Sequence, residues 1–164
     1  MDASERERTA FERLEAETTL RGLLGTACRE LVQVLDATAA AVSRVIGDLL
    51  VGLDEHTISG RPLAHGHEYL ISDFPLTREV VESGEPRWVS VREEGAEATE
   101  VELLQKLGFE SLLMVCLPGG GGCWGLLEVY AEDGHFREEH AQLASRVARR
   151  TGELLDRLEP TAAR

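Results

Sequence analysis

Basic residues are scarce in this chain. Its 164 residues carry 17 Lys and Arg against 30 Asp and Glu, a formal net charge of -13 at pH 7, and no Lys/Arg-rich run offers a local exception. Such a surface repels phosphate backbones and anionic head groups, which argues against nucleic-acid and membrane partners. Cysteine is scarce too: Cys28, Cys116 and Cys123 are odd in number, irregular in spacing and never in a CxxC pair. That pattern does not read as a secreted disulfide framework. The sequence shows no charged-then-apolar leader and no apolar stretch long enough to cross a bilayer, so the expectation is a cytoplasmic protein. No internal repeat is evident.

What remains is an ordinary globular mixture, 43% hydrophobic and 29% charged, with room for one domain around one core. Ser4 and Glu7 read as a capping box, after which Phe11, Leu14, Leu20, Leu24, Ala27, Leu31 and Val34 recur at helical spacing up to Asp36. This predicts one long helix or two, with a kink or break near Gly22 and Gly25. Small and β-branched residues from Ala39 to Val45, the Gly47-Asp48 turn and the apolar run Leu49 to Leu53 predict a hairpin. A long polar connection between His56 and Phe74 follows.

Pro75 opens a short helix that Gly84 stops, and Trp88 to Val91 reads as a strand. Thr99 and Glu102 suggest a capping box for a helix ending at Gly108. Ser111 to Leu117 and Cys123 to Tyr130, separated by Pro118 and Gly119 to Gly122, predict a second hairpin. Both of its strands are apolar on both faces, which places them in a sheet centre covered twice. A final helix carries Ala144, Val147, Thr151, Leu154 and Leu158 at heptad spacing before Pro160. The order of elements predicts an α+β fold, an antiparallel sheet with helices on its faces.

The segments DFPLTREVVESGEPRWVS, ELLQKLGFESLLMVCLP and WGLLEVYAEDGHF, followed by a long helix, resemble the second half of bacterial GAF sensor domains in order and spacing. The resemblance runs from about Leu20 to Leu158 and divides the chain into an N-terminal helical extension (1–18), a GAF domain (19–158) and a short tail (159–164). It implies a PAS-related sheet with long terminal helices on one face. Short helices and loops cover the other face and form a cup that encloses a small molecule or is simply filled. One departure is Arg137, where the family commonly places a Thr or Ser helix cap.

The resemblance implies a regulatory binding module that takes an unknown small ligand, needs no resident cofactor or metal and is not an enzyme. Arg44, Tyr69, Asp73 and Trp88 are the ligand-binding candidates by position, each mixing a polar tip with an apolar body. The alternative reading gives them structural roles: Asp73 as a helix cap, Tyr69 and Trp88 in the core, Arg44 paired with a carboxylate. The family also contains thiol-dependent free methionine-R-sulfoxide reductases, whose cysteines sit in the loops over the cup. Here Cys116 and Cys123 fall on the final hairpin, where they either face each other closely enough to oxidise or fill a strand pair. His65-Gly66-His67 reads as an exposed loop or as a ligand to haem or metal, whereas His135 and His140 are not expected to share a helical face. No cyclic-nucleotide signature or bilin-type cysteine is present. Gly119 to Gly122 lack the Lys-Ser or Lys-Thr of a phosphate loop. Ala144, Val147, Thr151, Leu154 and Leu158 are the candidate interface of a homodimer that signals to an unknown effector protein.

Overall fold

In the computed structural model, which describes residues 2–63 and 68–159, the chain forms the α+β architecture that the sequence predicts. Helix α1 (Ala3–Glu15) and helix α2 (Leu20–Leu35) precede the hairpin of β1 (Ala39–Ile46) and β2 (Leu49–Thr57). Short strand β3 (Glu68–Leu70) and one 3₁₀ turn (Ile71–Asp73) lead into α3 (Pro75–Ser83), β4 (Arg87–Ser90) and α4 (Ala98–Leu107). The hairpin of β5 (Ser111–Gly119) and β6 (Gly122–Ala131), then α5 (Glu138–Leu158), complete the chain. All neighbouring strands pair antiparallel in one six-stranded sheet of order β3-β2-β1-β6-β5-β4.

The N-terminal helical run is two helices, and its break falls at residues 16–19, ahead of both glycines. Thr19 decides the place: its side chain accepts the Gly22 N–H and caps α2, while Ala16 closes α1. Asp2 and Glu5, not Ser4 and Glu7, form the capping box of α1. Glu97, not Thr99, caps α4 by accepting from the N–H groups of Thr99 and Glu100. Gly84 and Gly108 end their helices in the left-handed conformation, as their positions suggest. Arg137 does start the final helix, with the His140 ring accepting its N–H.

Two cores flank the sheet. On one face α1, α2 and α5 bury Leu14, Leu31, Leu113, Leu127, Phe136 and Val147, among others. On the other, α3, α4 and the 3₁₀ turn close over Ala41, Leu50, Leu112, Met114, Leu126 and Tyr130. The β5–β6 pair at the sheet centre thus supplies both cores, which explains why neither strand alternates between apolar and polar. Gly125 leaves room for β1 beside β6, since a Cβ there would come within 2.6 Å of the Ser43 carbonyl oxygen.

The N-terminal extension belongs to the helical layer. Ala10 and Leu14 are fully buried, Arg13 pairs with the buried Glu30 of α2 at 3.1 Å, and Glu7 and Glu15 pair with Arg146 and Arg150 of α5. The apolar contacts outweigh the exposed ion pairs, which are worth little in water. Accordingly, Glu7→Gln, which opens the Arg146 pair, is expected to cost less than about 1 kcal/mol in chemical denaturation, whereas Leu14→Ala is expected to cost about 2–5 kcal/mol.

Candidate functional site

Strand alternation sorts the candidate residues between the two faces. Glu128 of β6 lies between Leu126 and Tyr130 and opposite Ala41 and Met114, so it points into the cup. From above, α3 contributes Thr77 and α4 contributes Glu100, one turn before the buried Leu104. The segment from β3 to α3 adds Tyr69 and Phe74, packed edge to face with ring centroids 5.7 Å apart. Leu50, Tyr69, Phe74, Thr77, Glu100, Leu103, Glu128 and Tyr130 surround an inner void of about 20 Å³, room for roughly one water molecule.

A wider groove of about 480 Å³ opens outside this void, between the 3₁₀ turn and α4, and Asp73, Glu102 and Lys106 supply its charges. Tyr69, Phe74 and Leu103 line both spaces. They are the wall between solvent and the inner carboxyls.

Both carboxyls are held away from their ordinary behaviour. Burial pushes Glu100 up to about 7, and the charges of Glu128 and Glu97 add to it, while a hydrogen bond from the Thr77 hydroxyl opposes the shift. Burial likewise pushes Glu128 up to about 7, against the hydrogen bond donated by the Tyr130 hydroxyl at 3.0 Å. Burial and the Glu128 charge drive the Tyr130 phenol far up, so it remains a donor. Near neutral pH the cup therefore holds two acids poised to keep or release a proton, a state that a neighbouring ligand can bias.

Of the four ligand-binding candidates, two line this region. Tyr69 borders the void and the groove, and Asp73 borders the groove; Phe74, not Asp73, occupies the cap position of α3. Arg44 and Trp88 belong to the opposite face. The Arg44 guanidinium stacks 4.4 Å from the Trp124 ring centroid and donates to the carbonyls of Trp124 and Val45, with no carboxylate partner among the described residues. Trp88, registered with Leu113, packs against the helical-layer core.

Cys116 and Cys123 form a disulfide at the far end of the β5–β6 hairpin, away from the cup, while Cys28 is free and buried in α2. The heptad stripe does not face solvent: Ala144, Val147 and Thr151 are fully buried and Leu154 nearly so, with Leu158 packed at the margin of the same core. Helix α2 and the sheet cover the stripe within one chain, so its surplus apolar surface is already occupied. His135 and His140 do meet, with ring centroids 5.2 Å apart, because the turn before α5 folds one ring over the other. His65 and His67 lie outside the described residues. Among the described residues, no group of three or more His, Cys, Asp and Glu could hold a metal ion, and no helix is long and apolar enough to cross a membrane.

Glu100 and Glu128 are absent from the sequence-derived candidates. Their signals were positional: Glu128 is the one charge within an apolar strand, and Glu100 shares a helical face with Leu104.

Solved structures with the same fold include chromophore-binding domains of bacteriophytochromes. The chromophore-binding domain of the bacteriophytochrome RpBphP3 from R. palustris superposes with a TM-score of 0.83 at 16% identity, covering 96% of this chain and 62% of that one. For the chromophore-binding domain of the Stigmatella aurantiaca bacteriophytochrome (Thr289His mutant) the figures are 0.79 and 16%, covering 93% and 59%. The far-red absorbing dark state of JSC1_58120g3 with bound biliverdin gives 0.77 at 18% identity, covering 94% and 99%. The chain thus spans under two thirds of the two phytochrome domains but nearly all of the third protein. No curated protein matches it. The GAF domain model matches residues 19–155, most of the chain and all the elements that build the cup, and the chain belongs to the GAF domain family.

Proposed function

We propose that this chain is a sensory, non-catalytic GAF module that takes a small polar ligand in the cup and signals to a partner protein. One observation carries this reading: a buried carboxyl, Glu100, and a partly buried one, Glu128, both poised near neutrality, line a void of about 20 Å³ behind a wall of Tyr69, Phe74 and Leu103. The outer groove is of ordinary ligand size. The ligand's hydrogen-bond-donating or cationic group displaces the wall and stands between Glu100 and Glu128. Movement of β6 then reaches the helical layer, because the same strand supplies Leu127 and Val129 to the core beneath α2 and α5.

Biliverdin is named for one structural relative, but the cup here is filled by Tyr130, Met114 and Leu126, and none of the three cysteines lines it. A ligand much smaller than a tetrapyrrole fits this packing better. Its narrow void also gives weight to a second reading, a ligand-free scaffold. Native mass spectrometry and an absorption spectrum of freshly purified protein, followed by thermal shifts with a panel of small amines, test the choice. A retained mass or a shift that Glu128→Gln abolishes is the expected result. No retained mass, no shift and no visible absorbance would leave the scaffold.

A further inference from the structure

A second groove, of about 430 Å³, lies at the sheet edge where β4 stops short. The last β4–β5 pair is Arg87 with Met114, while β5 continues to Gly119, so among the described residues its outer edge from Val115 onward has no neighbouring strand. The end of α3 and the turn at Gly84 to Pro86, which bring Glu82 (paired with Arg78) and Glu85, form one wall, Arg149 of α5 supplies the cation of the other, and both Cys116 and Cys123 line the space. Cys116 is 9% exposed, and Cys123 is half-buried. Arg149 is exposed and has no ion-pair partner among the described residues, although the chain has a large excess of acid.

We propose that this groove is a thiol-exchange site: a low-molecular-weight thiol bearing a carboxylate docks against Arg149 and exchanges with the Cys116–Cys123 disulfide. Its thiolate attacks Sγ of Cys123, the more exposed of the two residues, forming a mixed disulfide while Cys116 leaves as a thiolate and takes up a proton. A second thiolate attacks the small molecule's sulfur in that mixed disulfide. This releases the small disulfide, and the Cys123 thiolate takes up a proton in turn. Two thiols are oxidised to one disulfide and the protein cystine gains two electrons and two protons; a small disulfide drives the reverse.

The surroundings suit this role and single out this pair. Both sulfurs lie at the end of a hairpin that closes through Gly120 and Gly121. Cys28 is fully buried, and burial pushes its thiol far above the ordinary value, so it holds almost no reactive thiolate. The site also touches the long terminal helix: Pro118 packs directly on Gly152, and Gly119 lies beside Leu155. A change in the hairpin is therefore felt by α5.

The test follows the native protein by mass spectrometry in buffers of reduced and oxidised glutathione, with alkylation to stop exchange. The protein is expected to gain two hydrogens reversibly and to show glutathione on Cys123, with Cys28 unmodified. Cys116→Ser should trap that adduct; peptide mapping of the quenched wild-type protein gives the same reading should the variant not fold. Arg149→Gln is expected to slow exchange with glutathione by about threefold and leave exchange with 2-mercaptoethanol, which is uncharged, unchanged. Reduction no faster than global unfolding, glutathione on Cys28 instead, or equal slowing with both thiols would each overturn the proposal.

Discussion

The double variant Glu100→Gln/Glu128→Gln is expected to resist urea distinctly better than the wild-type protein at pH 8, and to differ little from it at pH 5. Both carboxyls titrate near 7 in the folded chain, against 4.5 for an unperturbed glutamate. In the unfolded chain they lose their protons at the lower value, so between about pH 4.5 and pH 7 the folded state binds protons that the unfolded state has released. Stability is then fullest below the unfolded value and declines as pH rises through the folded one. A shift of this size amounts to on the order of 3 kcal/mol per group. The two share one void, so they titrate as a pair with two apparent steps.

Glutamine keeps an acceptor for the Thr77 and Tyr130 hydroxyls and replaces the acid proton with an amide donor. The variant thus mimics the protonated state at every pH and should lose the slope between pH 5 and 8. His135 also contributes a decline over this range. Despite its partial burial, Asp133 and the Leu35 carbonyl raise its pKa, and the stability it brings is lost as pH rises through that value. It is present in both proteins and cancels in the comparison. A wild-type curve that differs from the variant's by nothing between pH 5 and 8, the shares of His135 and of the oppositely shifted His140 being common to both, would show that both carboxyls ionise freely in the fold.

The fold was more legible in the sequence than the site. Punctuating residues act locally, and their meaning survives without tertiary knowledge: Gly47-Asp48 turns a hairpin, Pro75 and Gly84 bracket a helix, Gly108 ends another. The break after Glu15 was harder to find because Phe11, Leu14 and Leu20 keep one apolar rhythm across it, and only the Thr19 cap marks it. Strand alternation says that Arg44 shares a face with Ala40 and Val42, but which face forms the cup depends on the placement of the helices. The same limit applies to Trp88. Glu100 stands among Glu94, Glu97 and Glu102, with no local sign that sets it apart from them; tertiary packing alone turns it inward, to 1% exposure. The α5 stripe is apolar, as its spacing suggests, but what covers it is α2 and the sheet of the same chain.

Gly152→Ala is expected to destabilise the protein by about 2 kcal/mol, opposite in sign to what helix propensity alone gives. In the interior of an exposed helix this substitution stabilises by roughly 1 kcal/mol. Here the added Cβ would stand 2.4 Å from the Pro118 carbonyl oxygen and 2.8 Å from its ring Cγ. Neither can swing aside as a flexible side chain would, because the carbonyl is backbone and the ring is tied to it. Overpacking of this kind costs about 1–3 kcal/mol or more, which exceeds the propensity gain. The strain is relieved by lifting α5 from the β5–β6 hairpin, the contact that joins the disulfide to the helical layer. The variant should therefore also exchange its Cys116–Cys123 bond with glutathione faster than wild type. A stabilised Gly152→Ala protein with unchanged exchange would show that helix and hairpin are not in close contact at Pro118.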